Sequence, residues 1–185
     1  IQFMHGGWGK VAAAGSAQFA IDRWRPERVI NLGTCGGFSG LVERGAVILA
    51  KRTLIYDIIE QMTDHDQAIE KFAVDFDLSW LPEEPPQPVI VRSLVSADRD
   101  IVPADIPELT RKYDAVAADW ESGAIAWVAR KNRIPCLILR GVSDLVSATS
   151  AEAYGNYALF EQACKSIMAD FVHHLEGWLA IFHPE

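Results

Sequence analysis

Five short apolar runs, separated by segments of helical periodicity, constrain the fold of this chain more than any other feature of its sequence. They are rich in Val, Ile, Leu and Ala, and they cover residues 28–33, 46–51, 88–96, 114–119 and 135–143. Continuous apolar runs of this length are typical of strands buried on both faces. Between them, residues 10–24 and 122–132 carry apolar side chains at helical spacing. This alternation predicts an α/β fold in one domain over residues 1–185, with a central mixed, mostly parallel sheet flanked by helices.

A long amphipathic pattern near the end of the chain predicts one more helix. It covers residues 151–179. We expect its buried stripe to consist of Phe160, Cys164, Ile167, Met168 and Phe171, which recur at helical spacing.

Composition excludes several classes of partner and site. The net charge is −8 and there is no basic block, which argues against nucleic acid or an anionic membrane surface as a partner. No apolar run approaches the ~18–20 residues that span a bilayer. The three cysteines, Cys35, Cys136 and Cys164, form no close pair, a pattern typical of a reducing cytosol rather than of a disulfide framework or a zinc site. We therefore expect a cytoplasmic protein.

Polar and glycine-rich segments follow several of the predicted strands, where open α/β sheets bind their ligands. The segment "NLGTCGGFSG" (residues 31–40) would let a backbone approach a ligand closely, although its glycines fit a tight turn equally well. The segment "VSADRDIV" (residues 95–102) has acids at alternating positions, but it lacks the longer ligand series of a calcium loop and fits a polar loop.

Two acids stand near the ends of two predicted strands that follow each other in the sequence. Glu121 lies where residues 114–119 give way to a helix, and Asp144 follows "LILRGVS". A carboxylate at such a position can accept hydrogen bonds from a vicinal diol such as a ribose. The structural alternatives are an acid that complements the helix dipole for Glu121 and an N-cap or turn aspartate for Asp144. Together with the glycine segment, the two acids suggest one pocket.

Four motifs, in order, resemble the nucleoside phosphorylase/nucleosidase superfamily. They are "GGWGKVAAAGSAQFAIDRWRPERVINLGTCGG", "SADRDI", "DWESGAIA" and "RGVSD". Their order and approximate spacing match across nearly the whole chain. Within the superfamily the chain looks most like the methylthioadenosine/S-adenosylhomocysteine nucleosidases, enzymes of purine nucleoside metabolism and methionine salvage.

The resemblance implies a role for each matched residue. Asp144 would protonate or hydrogen-bond the purine N7, with Ser143 orienting it, and Glu121 would hold the ribose hydroxyls. The remaining residues would line the site: the backbone around Ile101 at the base edge, Thr34 and Gly36 at its floor, Trp120 beneath the sugar in place of the usual methionine, and Tyr154 near the 5′ substituent. It implies a small purine nucleoside as substrate, a dimer or higher homo-oligomer, and no metal or organic cofactor.

Departures from the family pattern leave the reaction open. Phosphorylases of the superfamily carry a phosphate-binding arginine where this chain has Asn31, which favours water over phosphate as the nucleophile. The family's first strands and its water-activating glutamate do not occur in this sequence, so we expect it to be N-terminally truncated relative to the family. We therefore expect a purine nucleosidase, with a purine nucleoside phosphorylase or a catalytically impaired nucleoside-binding protein as alternatives.

Overall fold

A single sheet with helices packed against it forms the computed structural model, which describes residues 1–147 and 149–182. Within these residues the elements are, in chain order, α1 (Gly9–Trp24), β1 (Val29–Phe38), β2 (Val47–Ile55), α2 (His65–Glu70), β3 (Val74–Asp75), β4 (Ile90–Ser96), a 3-10 turn (Pro103–Asp105), α3 (Ile106–Tyr113), β5 (Ala115–Asp119), α4 (Ser122–Lys131), β6 (Cys136–Val146) and α5 (Tyr157–Ile181). No helix of these residues is long and apolar enough to cross a membrane.

The sheet is mixed and curls on itself. Its strand order is β3-β2-β4-β5-β1-β6, and β6 pairs in addition with β2, so that five strands form a ring and β3 lies outside it. The longer ladders are parallel: β1 with β6, β2 with β4, and β4 with β5. The antiparallel ladders, β1 with β5, β2 with β3 and β2 with β6, are short. The predicted α/β class, with a mixed sheet between helices, is confirmed.

The continuous apolar runs arise because both faces of the central strands are buried. In β6, Leu137 and Leu139 pack with Phe171 and Trp178 of α5. The intervening Ile138 faces the opposite core, which is covered by α1 and α4. Side chains alternate between the faces of a strand, so a strand covered on both sides needs apolar residues at every position.

The last helix differs from its prediction in its start and its buried face. It begins at Tyr157, and Asn156 caps it by accepting the Leu159 N–H at 3.3 Å. Ile167 and Phe171 are buried as predicted, whereas Phe160 and Cys164 are half-buried and Met168 is 37% exposed; Trp178 is fully buried. Met168 adjoins Ile167 in sequence, and successive helical residues point in different directions. The predicted stripe was therefore one residue too wide there.

Most of the glycine segment lies in a strand, and only its last glycine, Gly40 (φ 83°), lies in a turn. β1 continues through Thr34, Gly36 and Gly37 to Phe38. A Cβ at Gly36 would lie 2.7 Å from Ile101 Cδ1, and one at Gly37 would lie 2.7 Å from Val142 Cγ1. These glycines therefore permit close packing against the strand.

Candidate functional site

The carboxyl ends of β1 and β5 overlap beside β6. Gly36 of β1 pairs with Ala118 of β5 on one side and with Asp144 of β6 on the other. β5 runs antiparallel to β1, but only residues near the carboxyl end of each strand pair with each other. The two carboxyl ends therefore meet. This overlap brings the segment that follows β5, with Glu121, to the same end of the sheet as Asp144.

A β-bulge shapes β6 at Ser143. Cys35 pairs with Val142 and Gly36 with Asp144, which leaves Ser143 without a partner on β1. Bulges re-aim side chains and are frequent beside active sites. Asp144 therefore lies within a strand, two residues before its end, and is neither an N-cap nor a turn residue.

Ser143 and Asp144 form a buried hydrogen-bonded pair. The Ser143 Oγ lies 2.6 Å from Asp144 Oδ1 and 3.1 Å from the carbonyl oxygen of Cys35. A hydroxyl has one proton, and the carbonyl can only accept. Ser143 therefore donates to only one of these two oxygens at a time, and its bond to the Asp144 carboxylate lowers the pKa of that group.

The surroundings of Asp144 favour its protonated form. Asp144 is 6% exposed, and this burial is the largest cause of its raised pKa. The negative charges of Glu152 and Asp100 also raise the pKa, whereas Ser143 and Arg44 lower it. A carboxyl group held in this way can act as a general acid nearer neutrality than an ordinary aspartate.

Glu121 occupies the N-cap position of α4 but does not cap it. Its side chain makes no cap hydrogen bond, and Asp119 instead accepts the Ser122 N–H at 3.2 Å. Glu121 Oε1 accepts the Gly9 N–H at 2.9 Å, which ties the start of α1 to this end of the sheet. Burial raises the pKa of Glu121 most, the charge of Asp119 raises it further, and the Gly9 hydrogen bond opposes both.

A buried ion pair lies behind the two acids. Arg140 Nε donates to Asp119 Oδ2 at 2.6 Å, with side-chain exposures of 3% and 1%. The other oxygen of Asp119 accepts from Ser96 Oγ at 2.5 Å and from Ser122 Oγ at 2.9 Å. Arg140 Nη2 also donates to Asn31 Oδ1 at 2.6 Å. The network joins β1, β4, β5, β6 and the start of α4.

Sequence reasoning gave no role to Asp119 or Arg140. Each is a charged residue next to or inside an apolar strand run, "DAVAAD" and "LILRGVS". Charged side chains are almost never fully buried unless they are paired. Two such charges of opposite sign in neighbouring runs were therefore the available signal for this network.

The other predicted site residues lie near one acid or the other. Ile101 packs against Gly36, and Tyr154 donates its hydroxyl to the Ile101 carbonyl at 3.1 Å. Thr34 faces α5, where its Oγ1 lies 3.6 Å from Cys164 Sγ. Trp120 stacks on Trp8, with ring centroids 5.4 Å apart. These contacts make two groups, one around Asp144 and one around Glu121.

The polar segment after β4 anchors helix α1. Asp98 Oδ1 accepts the Lys10 N–H at 2.7 Å, and Lys10 Nζ forms an ion pair with Asp57. Asp98 is thus a helix-capping residue, which the sequence had left open between a polar loop and a metal ligand. In residues 1–147 and 149–182, no group of three or more His, Cys, Asp or Glu side chains is arranged to hold a metal ion.

Comparison with known proteins identifies the family. The family model described as the phosphorylase superfamily matches residues 2–175. The chain belongs to the phosphorylase superfamily. One superfamily relative, the 5′-methylthioadenosine/S-adenosylhomocysteine nucleosidase of Tolumonas auensis, is 24% identical over 193 residues, covering 92% of this chain and 78% of that protein.

Solved structures of the superfamily share the fold. The Helicobacter pylori 5′-methylthioadenosine/S-adenosylhomocysteine nucleosidase, crystallised with a pyrrolo-pyrimidine pyrrolidinol compound, has a TM-score of 0.75 at 16% identity, covering 95% of this chain and 78% of that one. The futalosine hydrolase of the same organism has a TM-score of 0.74 at 16% identity, covering 95% and 77%. Proteins named for different substrates thus match this fold almost equally well.

Proposed function

We propose that this chain is a purine nucleosidase that hydrolyses the N-glycosidic bond of methylthioadenosine, S-adenosylhomocysteine or a related purine nucleoside. The observation that carries the proposal is the buried Ser143–Asp144 pair, a carboxyl group with a raised pKa at the end of the sheet. Membership of the phosphorylase superfamily and the nucleosidase names of the relatives support it.

Asp144 acts on the leaving group. Breaking the bond between sugar and purine places negative charge on the base, and a proton delivered to N7 removes that charge. Burial keeps the Asp144 proton available at a higher pH than an ordinary aspartate would. Ser143 holds the carboxyl group in a fixed orientation through its 2.6 Å contact.

Glu121 acts on the sugar. A carboxylate accepts several hydrogen bonds, so Glu121 can keep the Gly9 N–H and also accept from the ribose hydroxyls. Its negative charge stabilises the cationic sugar of the transition state, most strongly where water is excluded. Trp120, stacked on Trp8, supplies an apolar surface beneath the sugar.

Ile101 and Tyr154 act on the base and the 5′ substituent. The Ile101 carbonyl accepts the Tyr154 hydroxyl, and its second lone pair remains for a purine amino group. Gly36 and Thr34 form the floor of the site. Because Gly36 has no side chain, Ile101 can pack closely against that floor.

The charge pattern favours water over phosphate as the nucleophile. Asn31 accepts a hydrogen bond from Arg140, whose guanidinium is already paired with Asp119. Lys10 is likewise paired with Asp57. A phosphorylase needs cationic groups to bind phosphate, and Arg140 and Lys10 are already paired with carboxylates of this chain. None of the site residues named above is assigned to activate the water.

A homo-oligomer, a dimer or larger, is part of the proposal. Trp8 and Val11 at the start of α1 are 79% and 85% exposed, and Ile59 and Met62 are 71% and 91% exposed. Exposed apolar side chains of this size favour association. Light scattering on the purified protein should therefore give at least twice the monomer mass.

Product analysis with methylthioadenosine, with and without phosphate, tests the proposed reaction. A nucleosidase releases adenine and free methylthioribose at a rate independent of phosphate. Release that needs phosphate and yields a sugar 1-phosphate would identify a phosphorylase. Binding without release, weakened by Glu121→Ala, would identify a nucleoside-binding protein.

A further inference from the structure

Glu152 contacts the strand that carries Asp144 immediately after that residue. Glu152 Oε2 accepts the Leu145 N–H at 2.9 Å, and the Glu152 N–H donates to the Leu145 carbonyl at 3.1 Å. Glu152 therefore fixes both backbone polar groups of the residue that follows Asp144. The segment after β6 is held against the strand at this point, beside the bulge.

Arg44 reaches the same place from another part of the chain. Arg44 Nη2 lies 3.0 Å from Glu152 Oε1, the oxygen that does not contact Leu145. Arg44 belongs to the connection between β1 and β2, and its neighbour Gly45 donates its N–H to the Val142 carbonyl at 2.8 Å. Two segments thus hold β6, one before Asp144 and one after it, and the ion pair joins them.

We propose that Glu152, oriented by Arg44, is a positioning residue for Asp144 that fixes the backbone beside it and sets the charge around its carboxyl group. The inference rests on the proposed function, in which Asp144 protonates the purine. Neither Glu152 nor Arg44 touches the reacting atoms in this scheme.

The two halves of the ion pair act on Asp144 with opposite sign. The negative charge of Glu152 raises the pKa of Asp144, and the positive charge of Arg44 lowers it. The other titratable groups that face Asp144 are Asp100 from the loop after β4, Tyr154 from the segment after β6, Cys35 from β1 and Cys164 from α5. Burial raises the pKa of the tyrosine and of both thiols, so these three groups stay uncharged near neutrality.

Neutralising each half of the ion pair in turn tests the inference. Glu152→Gln keeps an acceptor for the Leu145 N–H but removes the negative charge, so the alkaline limb of the kcat/KM profile should move to lower pH. Arg44→Gln removes the positive charge and should move that limb to higher pH. At a fixed pH on the limb we expect rate changes of roughly threefold, in opposite directions. Arg44→Lys, which keeps the charge, should restore the wild-type limb.

A matched pair of controls separates this effect from loss of an ordinary ion pair. Lys51 and Asp114 are paired at 2.6 Å, and both pairs are partly exposed, with Asp114 more exposed than Glu152. Lys51→Gln and Asp114→Asn should leave the limb in place. A shift of the limb in the same direction in Glu152→Gln and Arg44→Gln, or no shift in either, would overturn the inference.

Direct titration separates this inference from the proposed function. The pKa of Asp144 can be followed by carboxyl carbon NMR in the wild type and both variants without substrate. If the wild type releases no purine, the proposed function fails, but the opposite NMR shifts still support the inference. If the wild type is active and the Asp144 pKa does not move, the inference alone fails.

Discussion

Asp119→Asn should be among the most destabilising isosteric changes in this chain. The wild-type carboxylate faces Arg140 at 2.6 Å and also accepts from Ser96 and from both the Oγ and the N–H of Ser122. Arg140 and the Ser122 N–H can only donate, so an amide NH2 must face the two serine hydroxyls, which would then have to reverse their hydrogen bonds to it. The change also leaves a guanidinium that is only 3% exposed without its counter-charge.

The cost follows from the burial of the pair. Removing one partner of a buried ion pair typically costs about 3–5 kcal/mol, because the other charge remains desolvated. For a domain of this size that corresponds to a fall in Tm of roughly 6–20 °C. The loss is a large part of the ~5–15 kcal/mol that stabilises a typical domain.

Urea unfolding of the wild type and Asp119→Asn measures this cost, with Asp114→Asn as the matched control. Asp114 is 57% exposed beside Lys51, so its neutralisation should cost at most about 1 kcal/mol. Replacing both Asp119 and Arg140 by apolar residues of similar volume should cost less than the sum of the single changes. A loss below 1 kcal/mol for Asp119→Asn, or a double variant as unstable as that sum, would refute the reasoning.

Three further predictions concern the candidate site. Gly36→Ala should destabilise the protein by about 1–3 kcal/mol, because the new Cβ would lie 2.7 Å from Ile101 Cδ1, and it should weaken nucleoside binding in calorimetry. Gly15→Ala is the matched control: Gly15 has open space around it in α1, so this change should stabilise the protein by about 0.5–1 kcal/mol. Asp144→Asn should lower turnover by at least ~100-fold yet melt at a higher temperature than the wild type at neutral pH. A carboxyl group whose pKa is raised stabilises the fold below the pKa of the unfolded chain and loses that stabilisation as the pH rises, and asparagine avoids this loss. A lower melting temperature would contradict this. The kcat/KM profile should be bell-shaped, with an acid limb from Glu121 above the usual glutamate range and an alkaline limb from Asp144; a profile without an alkaline limb would remove Asp144 as the acid.

Elements with a strong local signal could be predicted from the sequence. The helix expected over residues 10–24 is Gly9–Trp24, and the strand expected over residues 114–119 is Ala115–Asp119. Both depend on periodicity within one short segment. Their ends follow from local chemistry, since Arg25 adopts the left-handed conformation at the end of α1 and Pro26 follows it.

Features that join distant segments could not be predicted in this way. The Gly9–Glu121 hydrogen bond links residues 112 positions apart, and the bulge at Ser143 depends on the register between β1 and β6. The pairing of β2 with β6, which closes the ring, is also long-range. Sequence patterns placed both acids near strand ends, but the burial that raises their pKa values most depends on how other elements pack around them. The roles of the individual site residues remain predictions.

The rate of adenine release from methylthioadenosine by Asp144→Asn, relative to the wild type and without phosphate, tests the central claim most directly. Asparagine keeps the size of the side chain but cannot deliver a proton to N7. The account predicts phosphate-independent release by the wild type and a loss of at least ~100-fold in the variant, with nucleoside binding retained. Equal rates for the two proteins would contradict it.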